Sequence, residues 1–156
     1  MKKIINKKKS FFNKKASYNF FLIKEIIAGL SLKGWEVKSI RLGRINLTGS
    51  YIGIIKNEIY LIGANFQPIK TTNFFSYQDP YRKRKLLLKR REINILSMHV
   101  QKLRNTIIPL KLFWKKEFCK LLISIAQGKN LFDKRLQKKE RVWKLEKSFL
   151  KKRFYN

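Results

Sequence analysis

The side chains that could carry out catalysis are few and scattered along the sequence. The single histidine, His99, falls in a predicted helix, and the single cysteine, Cys119, falls in a predicted strand with no histidine near it in the sequence. A catalytic nucleophile needs a neighbouring base, and a metal-dependent nuclease needs clustered carboxylates, but neither pattern occurs in the sequence. It also has no Gly-rich phosphate loop and no Cys/His spacing typical of a metal site. We therefore expect no catalytic residues, no metal and no cofactor.

The chemistry that the sequence does offer is that of dense positive charge. It contains 38 Lys and Arg against 9 Asp and Glu, a formal net charge of +29 over 156 residues. Such an excess repels itself within a compact fold, and it becomes favourable when a polyanion neutralises it. Low-GC codon usage explains an abundance of Lys, Ile and Asn, but it does not explain why acids are scarce. A nucleic acid is therefore the expected partner.

Glu36 is the carboxylate with the most unusual sequence surroundings, since it lies between the bulky apolar residues Trp35 and Val37. One interpretation is that it pairs with a nearby Lys or Arg. The other is that it accepts hydrogen bonds from base amino groups or a 2′-hydroxyl at an RNA surface, which would add selectivity to a positive patch. A similar choice, between core packing and base stacking, applies to the aromatic residues beside basic ones: Tyr18, Phe20, Phe21, Phe74, Phe75, Tyr77 and Tyr81.

The elements that would position these side chains are mainly strands arranged as hairpins. Aromatic and β-branched residues and turn signals predict a strand over 18–27, a hairpin of 46–55 with 58–64, and a second hairpin of 106–116 with 117–126. Adjacent hairpins with a long helix between them predict a mainly β fold with helices. In it, an antiparallel sheet closes into a small barrel related to the oligonucleotide-binding (OB) fold. An open α+β sheet is the alternative.

Three helices are predicted between and after these strands. The first covers residues 34–42, where a glycine follows the last helical residue. The second covers about residues 79–103, because an Asp-Pro pair is a typical helix start and apolar residues recur at helical spacing behind it. The third begins at Asp133. Residues 65–78 are predicted to be a loop, and Pro109 favours an edge strand or a bulge in the second hairpin.

The charge pattern divides the chain into three parts. Residues 1–12 form a basic N-terminal extension expected to be disordered, residues 13–128 form an RNA-binding β-barrel domain, and residues 129–156 form a basic tail. Either the tail is a helix that docks on the domain by its apolar face, or it is disordered alone and folds against RNA or an RNA–protein surface.

No apolar run is long enough to span a membrane, and the lone cysteine indicates a reducing compartment, so we expect a cytoplasmic protein with no membrane partner.

Short motifs are spread over about residues 13–147 in an order and spacing that chance does not explain. They are Asn13-Lys14-Lys15-Ala16, Gly34-Trp35-Glu36-Val37-Lys38-Ser39, Gly43-Arg44, Asn46-Leu47, Ser50-Tyr51, Asp79-Pro80, Arg84-Lys85-Leu86-Leu87-Leu88, Arg91-Glu92-Ile93, Gly128-Lys129, Asp133-Lys134-Arg135 and Lys139-Glu140-Arg141 with Trp143. Together they resemble the SsrA-binding protein (small protein B) family, the bacterial partner of transfer-messenger RNA.

The resemblance implies a small OB-like barrel that binds the tRNA-like part of transfer-messenger RNA near its elbow, as a monomer with one copy per RNA. It also implies delivery of that RNA to ribosomes stalled on messages without a stop codon. There the domain fills the space of a codon–anticodon pair in the small-subunit decoding centre, and the tail becomes helical in the empty message channel. Carried over, the RNA-facing residues are Asn13, Lys14, Lys15, Glu36, Lys38, Arg41, Arg44, Asn46, Arg84 and Lys85, and the ribosome-binding tail residues are Lys129, Asp133, Lys134, Arg135, Lys139, Arg141 and Trp143.

The chain departs from the family pattern at a few positions, and two other functions compete with the one implied. Ser17-Tyr18 replace a common Arg-His pair, Gln78 replaces a His, and Asn130 replaces a second Lys. The first competing function is that of a ribosomal protein or ribosome-assembly factor that binds ribosomal RNA. The second is that of a nuclease or RNA-modifying enzyme.

Overall fold

The computed structural model describes residues 10–69 and 78–154, with side chains up to residue 150. Nine strands and four helices lie in this part of the chain. In chain order they are β1 (Phe11–Phe12), α1 (Ala16–Asn19), β2 (Phe20–Leu30), α2 (Gly34–Leu42), β3 (Ile45–Asn46), β4 (Tyr51–Ile55), β5 (Glu58–Ile62), β6 (Asn65–Phe66), β7 (Arg84–Leu87), α3 (Arg90–Gln101), β8 (Thr106–Lys115), β9 (Phe118–Gly128) and α4 (Leu131–Phe154).

The main sheet has seven antiparallel strands in the order β1-β8-β9-β2-β7-β5-β4, and β3 and β6 pair separately. β2 is the strand that joins the two hairpins, because it pairs with β9 over most of its length and with β7 at Gly29 and Leu30. The edge strand β4 also contacts β8, near the opposite edge, so the sheet curls round on itself. The predicted mainly β, antiparallel architecture is confirmed. No ladder between β4 and β8 closes the barrel within the described residues.

The hydrophobic core lies on the concave face of this sheet. Strand alternation sends Leu61, Leu112 and Leu121 inward, where each is fully buried. α2 and α3 close the core with Ile40 and Leu96, which are also fully buried. Burial of this apolar surface, at roughly 25 cal/mol per Å², is the main force that holds helices and sheet together.

Both predicted hairpins are present, each with the turn or bulge that the sequence indicated. Lys56 and Asn57 join β4 to β5 with φ values of 48° and 59°, the positive pair that a type I′ turn needs. The register of β8 against β9 shifts between Pro109 and Lys111, so Pro109 sits at a bulge. Proline has no N–H to give to a ladder, which explains why the bulge falls there.

The helix predicted over residues 79–103 is wrong in its first half. Asp79 Oδ1 accepts from the Tyr81 N–H at 2.9 Å, which makes a turn and not a helix cap. The chain then forms β7, which pairs with β5 and β2. Every second residue of this strand, Arg84 and Leu86, points inward. The helix begins only at Arg90, where the Glu92 carboxylate accepts from the Lys89 N–H at 2.7 Å. Pairing with two strands outweighs the local helix signal.

Smaller differences concern the other predicted elements. The first strand begins at Phe20 after the short helix α1, and the strand predicted from residue 46 is split into β3 and β4 by a turn at Gly49 with φ 79°. The predicted loop contains the two-residue strand β6, and its residues 70–77, with Phe74, Phe75 and Tyr77, lie outside the described residues. α2 is confirmed with the predicted bounds.

Candidate RNA-binding surface

α2 is held in place by bonds at both of its ends and one in its middle. At its start the Glu36 carboxylate accepts from the Lys33 N–H at 2.6 Å, and at its end Gly43 has φ 83°, a left-handed cap that favours glycine. In its middle the Ser39 hydroxyl donates to the Gln67 carbonyl at 2.7 Å, which ties the helix to the segment after β6. Lys38 and Arg41 point away from these contacts and are exposed.

Beneath the helix, Glu36 forms an ion pair with two arginines. Its Oε2 lies 2.6 Å from Nη2 of Arg82, and its Oε1 lies 2.8 Å from Nε of Arg84. The remaining Arg84 donors reach the carbonyls of Ala64 and Pro80, each at 2.9 Å, and that of Arg82 at 2.8 Å. The guanidinium also lies over the Phe66 ring, 3.8 Å from its centroid. Burial lowers the pKa of Arg84, and the neighbouring Glu36 charge opposes that shift.

Glu36 and Arg84 are completely buried, with 0% exposure of either residue. Of the two interpretations of Glu36, the structure agrees with the ion pair, because both carboxylate oxygens are engaged by arginines inside the protein. The pair cross-links α2 to β7 and so fixes the helix that presents Lys38 and Arg41. Arg82, which is not among the predicted RNA-facing residues, lies at the rim of this network with its side chain 28% exposed. The helix predicted over this segment concealed that Arg82 and Arg84 reach the same carboxylate.

Asn13, the first of the predicted RNA-facing residues, is anchored against β8. Its Nδ2 donates to the Pro109 carbonyl at 3.0 Å, and its backbone N–H donates to the Leu110 carbonyl at 2.8 Å. Its Oδ1 is buried and has no hydrogen-bond partner in the structure.

A groove of about 360 Å³ runs from Asn13 to the turn between β3 and β4. Lys15 lines one side, and Thr48, Gly49 and Ser50 line the other. The turn is held by Asn46, whose Oδ1 accepts from the Thr48 N–H at 2.9 Å. Arg44 precedes this turn, is exposed, and follows directly after α2. Apart from Lys85, the members of the predicted RNA-facing set that are exposed or half-buried are named here the basic surface: Asn13, Lys14, Lys15, Lys38, Arg41, Arg44 and Asn46.

Lys85 is not part of this surface, because neighbouring residues on a strand point to opposite faces. Arg84 points inward and Lys85 points outward, where its ammonium pairs with Glu58. Hydrogen bonds from Lys85 and then Tyr60 lower the pKa of Glu58. The hydrogen bond to Glu58 raises the pKa of Lys85. Lys85 lines a second groove of about 470 Å³ with Lys89, Lys120 and other residues of β2, β5 and α3.

The tail forms α4, which is attached to the domain at its first residues. Lys129 donates from Nζ to the Ser17 carbonyl at 2.8 Å and from its backbone to the Asn19 carbonyl at 2.9 Å. Asp133 then accepts from the Asn130 N–H at 3.1 Å, which caps the helix start. Beyond this point the apolar side chains are open to solvent, with Trp143 at 63% and Phe149 at 70% exposure. The predicted tail residues that belong to this helix are Asp133, Lys134, Arg135, Lys139, Arg141 and Trp143.

The helix is therefore present, but its apolar side chains up to residue 150 do not dock on the domain. The remaining side chains that could be reactive occupy structural positions. Cys119 is buried, and burial raises the pKa of its thiol to about 12. His99 is half-buried on α3, with Nδ1 3.4 Å from the side-chain nitrogen of Asn105. In the part of the chain that the structure describes, no group of three or more His, Cys, Asp or Glu could hold a metal ion. No helix of that part has both the length and the apolar character to cross a membrane.

Comparison with known proteins agrees with this arrangement. The family model described as SmpB protein matches residues 10–153, nearly the whole chain. The chain belongs to the SmpB protein family. Curated relatives named SsrA-binding protein, from strains Tuc7, 5A and APS of Buchnera aphidicola subsp. Acyrthosiphon pisum, are each 46% identical to it. Each match extends over 149 residues, covering 94% of this chain and 91% of the relative.

A solved structure supports the same family at the level of the fold. A chain from work on tmRNA-SmpB and the centre of the bacterial ribosome matches with a TM-score of 0.64 and 33% identity. The match covers 78% of this chain and 85% of the chain in the solved structure. The resemblance found in the sequence motifs is thereby confirmed. The curled antiparallel sheet is the SmpB fold, to which the predicted OB-like description corresponds.

Proposed function

We propose that this protein binds the tRNA-like part of transfer-messenger RNA and delivers it to stalled bacterial ribosomes in the cytoplasm, where the nascent chain is tagged. The observation that carries the proposal is the separation of two cationic parts. One is the surface formed by α2, Arg44 and the Asn13 groove, and the other is an amphipathic helix that leaves its apolar face unused. The names of the relatives and the tmRNA-SmpB neighbour support the same function.

In this proposal the surface acts by binding and not by chemistry. Lys38, Arg41 and Arg44 contact phosphates, which supply affinity without reading sequence. Asn13 and Lys15 line the groove that receives the neighbouring part of the RNA backbone. Glu36 and Arg84 hold α2 in place from below, while Lys85 is paired with Glu58 on the other side of β7 and is not part of the surface that binds this RNA. On the ribosome, α4 supplies the second contact through its basic and apolar faces.

Binding driven by phosphates should be strongly dependent on salt. With about five phosphate contacts, the logarithm of the affinity for isolated transfer-messenger RNA should fall with the logarithm of salt concentration at a slope near −3.5 to −4.5. Filter binding or fluorescence anisotropy across a salt series measures this slope. A flat response would show that phosphate contacts do not drive binding. Binding to ribosomal RNA alone would support a ribosomal protein or assembly factor instead.

Removing the three exposed cations of α2 and its C-terminal extension tests the location of the site. The triple variant K38Q/R41Q/R44Q should bind transfer-messenger RNA at least about tenfold more weakly, with a salt slope shallower by about 2 to 3. All three side chains are exposed, so the free energy of unfolding should change by only about 0.5 kcal/mol or less.

A matched control removes the same charge from elsewhere on the domain. Lys24, Arg91 and Lys102 are exposed on β2, on α3 and at the end of α3. The variant K24Q/R91Q/K102Q should keep a salt slope close to that of the unmodified protein. If both triple variants lost the same affinity, net charge alone would explain binding, and the proposed location would be wrong.

A further inference from the structure

The outer face of the sheet at the turn between β8 and β9 carries phenylalanines and lysines in alternation. The register pairs Phe12 of β1 with Lys111 of β8, and Phe113 of β8 with Lys120 of β9. It also pairs Lys115 with Phe118. Cross-strand partners share a face, and so do residues two apart on one strand. These residues form one continuous patch, which we call the Phe–Lys face: Phe12, Lys111, Phe113, Lys115, Phe118 and Lys120.

Burial shows that this face is turned away from the core. Leu112 and Cys119, which alternate with residues of the patch, and Leu121, which follows it, are buried in the core. Trp114 packs against that core. Phe12 and Phe118 are 60% and 69% exposed, which is unusual for phenylalanine on a sheet. The strands supply the apolar surface that the core needs from their other face, so folding does not account for these exposed rings.

The lysines lie against the rings. Nζ of Lys111 is 4.8 Å from the centre of the Phe12 ring and 5.5 Å from that of Phe113. Nζ of Lys120 is 5.9 Å from the centre of the Phe118 ring. The three phenylalanines occupy adjacent strands as diagonal neighbours, roughly 7–8 Å apart by ordinary sheet geometry. Each ring therefore has a cation beside it and another ring one step along the face.

We propose that the Phe–Lys face binds unpaired RNA, with bases stacked on the phenylalanine rings and phosphates paired with the adjacent lysines. Aromatic side chains on a sheet that alternate with cations are the arrangement that single-stranded nucleic acids require, because every base has a face to stack and every nucleotide a charge to neutralise. Its charge complements RNA better than a protein partner of mixed charge. The strands β1, β8 and β9 that carry this face contain no carboxylate, and the turn between β8 and β9 contains one, Glu117.

A groove beside this face extends the row of cations with which RNA phosphates would pair. Lys120 also lines the groove of about 470 Å³ that contains Lys89 and Arg90. Glu58 and Glu92 line it too, but Glu58 is paired with Lys85, and Glu92 accepts from the Lys89 backbone. This second RNA contact goes beyond the proposed function, because none of the residues of the Phe–Lys face is among those proposed to hold the tRNA-like RNA.

The test measures binding of a fluorescein-labelled octauridine to the full-length protein by anisotropy. The variant F12A/F118A should bind this oligonucleotide at least about tenfold more weakly with an unchanged salt slope, because it loses stacking and no charge. The variant K111Q/K120Q should bind more weakly with a slope shallower by about 1.4. The control L103A removes an apolar side chain that is 57% exposed just beyond the end of α3 and should bind octauridine like the unmodified protein.

Two further measurements keep this test independent of folding and of the proposed function. Thermal unfolding of F12A/F118A should match that of the unmodified protein, since both rings are largely exposed, and its affinity for the tRNA-like RNA should be retained. Unchanged octauridine binding by F12A/F118A would overturn the proposal. If F12A/F118A no longer self-associated in sedimentation while its octauridine binding stayed intact, the proposal would also be overturned. The face would then be assigned to a second copy of the chain.

Discussion

Truncation after Gly128 is expected to abolish tagging of stalled nascent chains while leaving the affinity for transfer-messenger RNA within about threefold, a change of less than 1 kcal/mol. The residues proposed to hold this RNA lie on the domain before residue 50. The truncation removes the hydrogen bonds of Lys129 to Ser17 and Asn19, but it exposes no core, because the side chains of α4 are already open to solvent. Tagging in a reconstituted translation system and RNA binding by anisotropy measure the two effects separately.

A substitution within α4 refines this prediction by keeping length and charge. The variant W143A/F149A removes two side chains that are 63% and 70% exposed and should reduce tagging at least tenfold, with RNA affinity unchanged. The matched control M98A/L103A removes exposed apolar side chains from the domain and should tag normally. If truncation instead destroyed RNA affinity, the division of labour between domain and tail would be wrong.

The substitution Glu36→Gln is expected to lower the free energy of unfolding by about 3–5 kcal/mol. Glu36 is the counter-charge of a fully buried Arg84 and a partly exposed Arg82, and its removal leaves a guanidinium in the interior without its anion. A loss of that size corresponds to a decrease in Tm of about 10 °C or more for a domain of this length. Thermal unfolding followed by circular dichroism measures it.

The control for Glu36 is a carboxylate that the fold does not use. Glu25 is exposed on β2, and Glu25→Gln should change stability by about 0.5 kcal/mol or less. RNA affinity should fall in the Glu36 variant because α2 loses its anchor. An unchanged Tm together with lost RNA binding would show that Glu36 acts on the RNA directly, contrary to its burial in this structure.

The sequence predicted well those features that local chemistry decides. The Lys56-Asn57 turn, the bulge at Pro109 and the bounds of α2 each follow from a residue with a strong backbone preference. Lys38, Arg41 and Arg44 are exposed, as contact with RNA requires, and their role in RNA binding stays a prediction. The amphipathic pattern of the tail likewise predicted a helix, and one is present.

Features that depend on distant parts of the chain could not be found this way. The Asp79-Pro80 pair reads as a helix start, and only pairing of the next residues with β5 and β2 reveals a strand. The same pairing sends Arg84 into the interior and Lys85 to the opposite surface, a division that the run of basic residues conceals. The partners of Glu36 are 46 and 48 residues away, so its burial was one of two open interpretations from sequence.

The state of Cys119 has a practical consequence for labelling. A thiol reacts as its thiolate, and one whose pKa is raised to about 12 is almost entirely protonated near neutral pH. Because it is the only cysteine in the chain, a cysteine introduced on the solvent-facing helix α4 would be the single site that a maleimide dye modifies. Cys119 therefore does not have to be removed before a reporter dye is placed on the tail. With a second dye on a bound RNA, energy transfer to that site would follow the path of the tail.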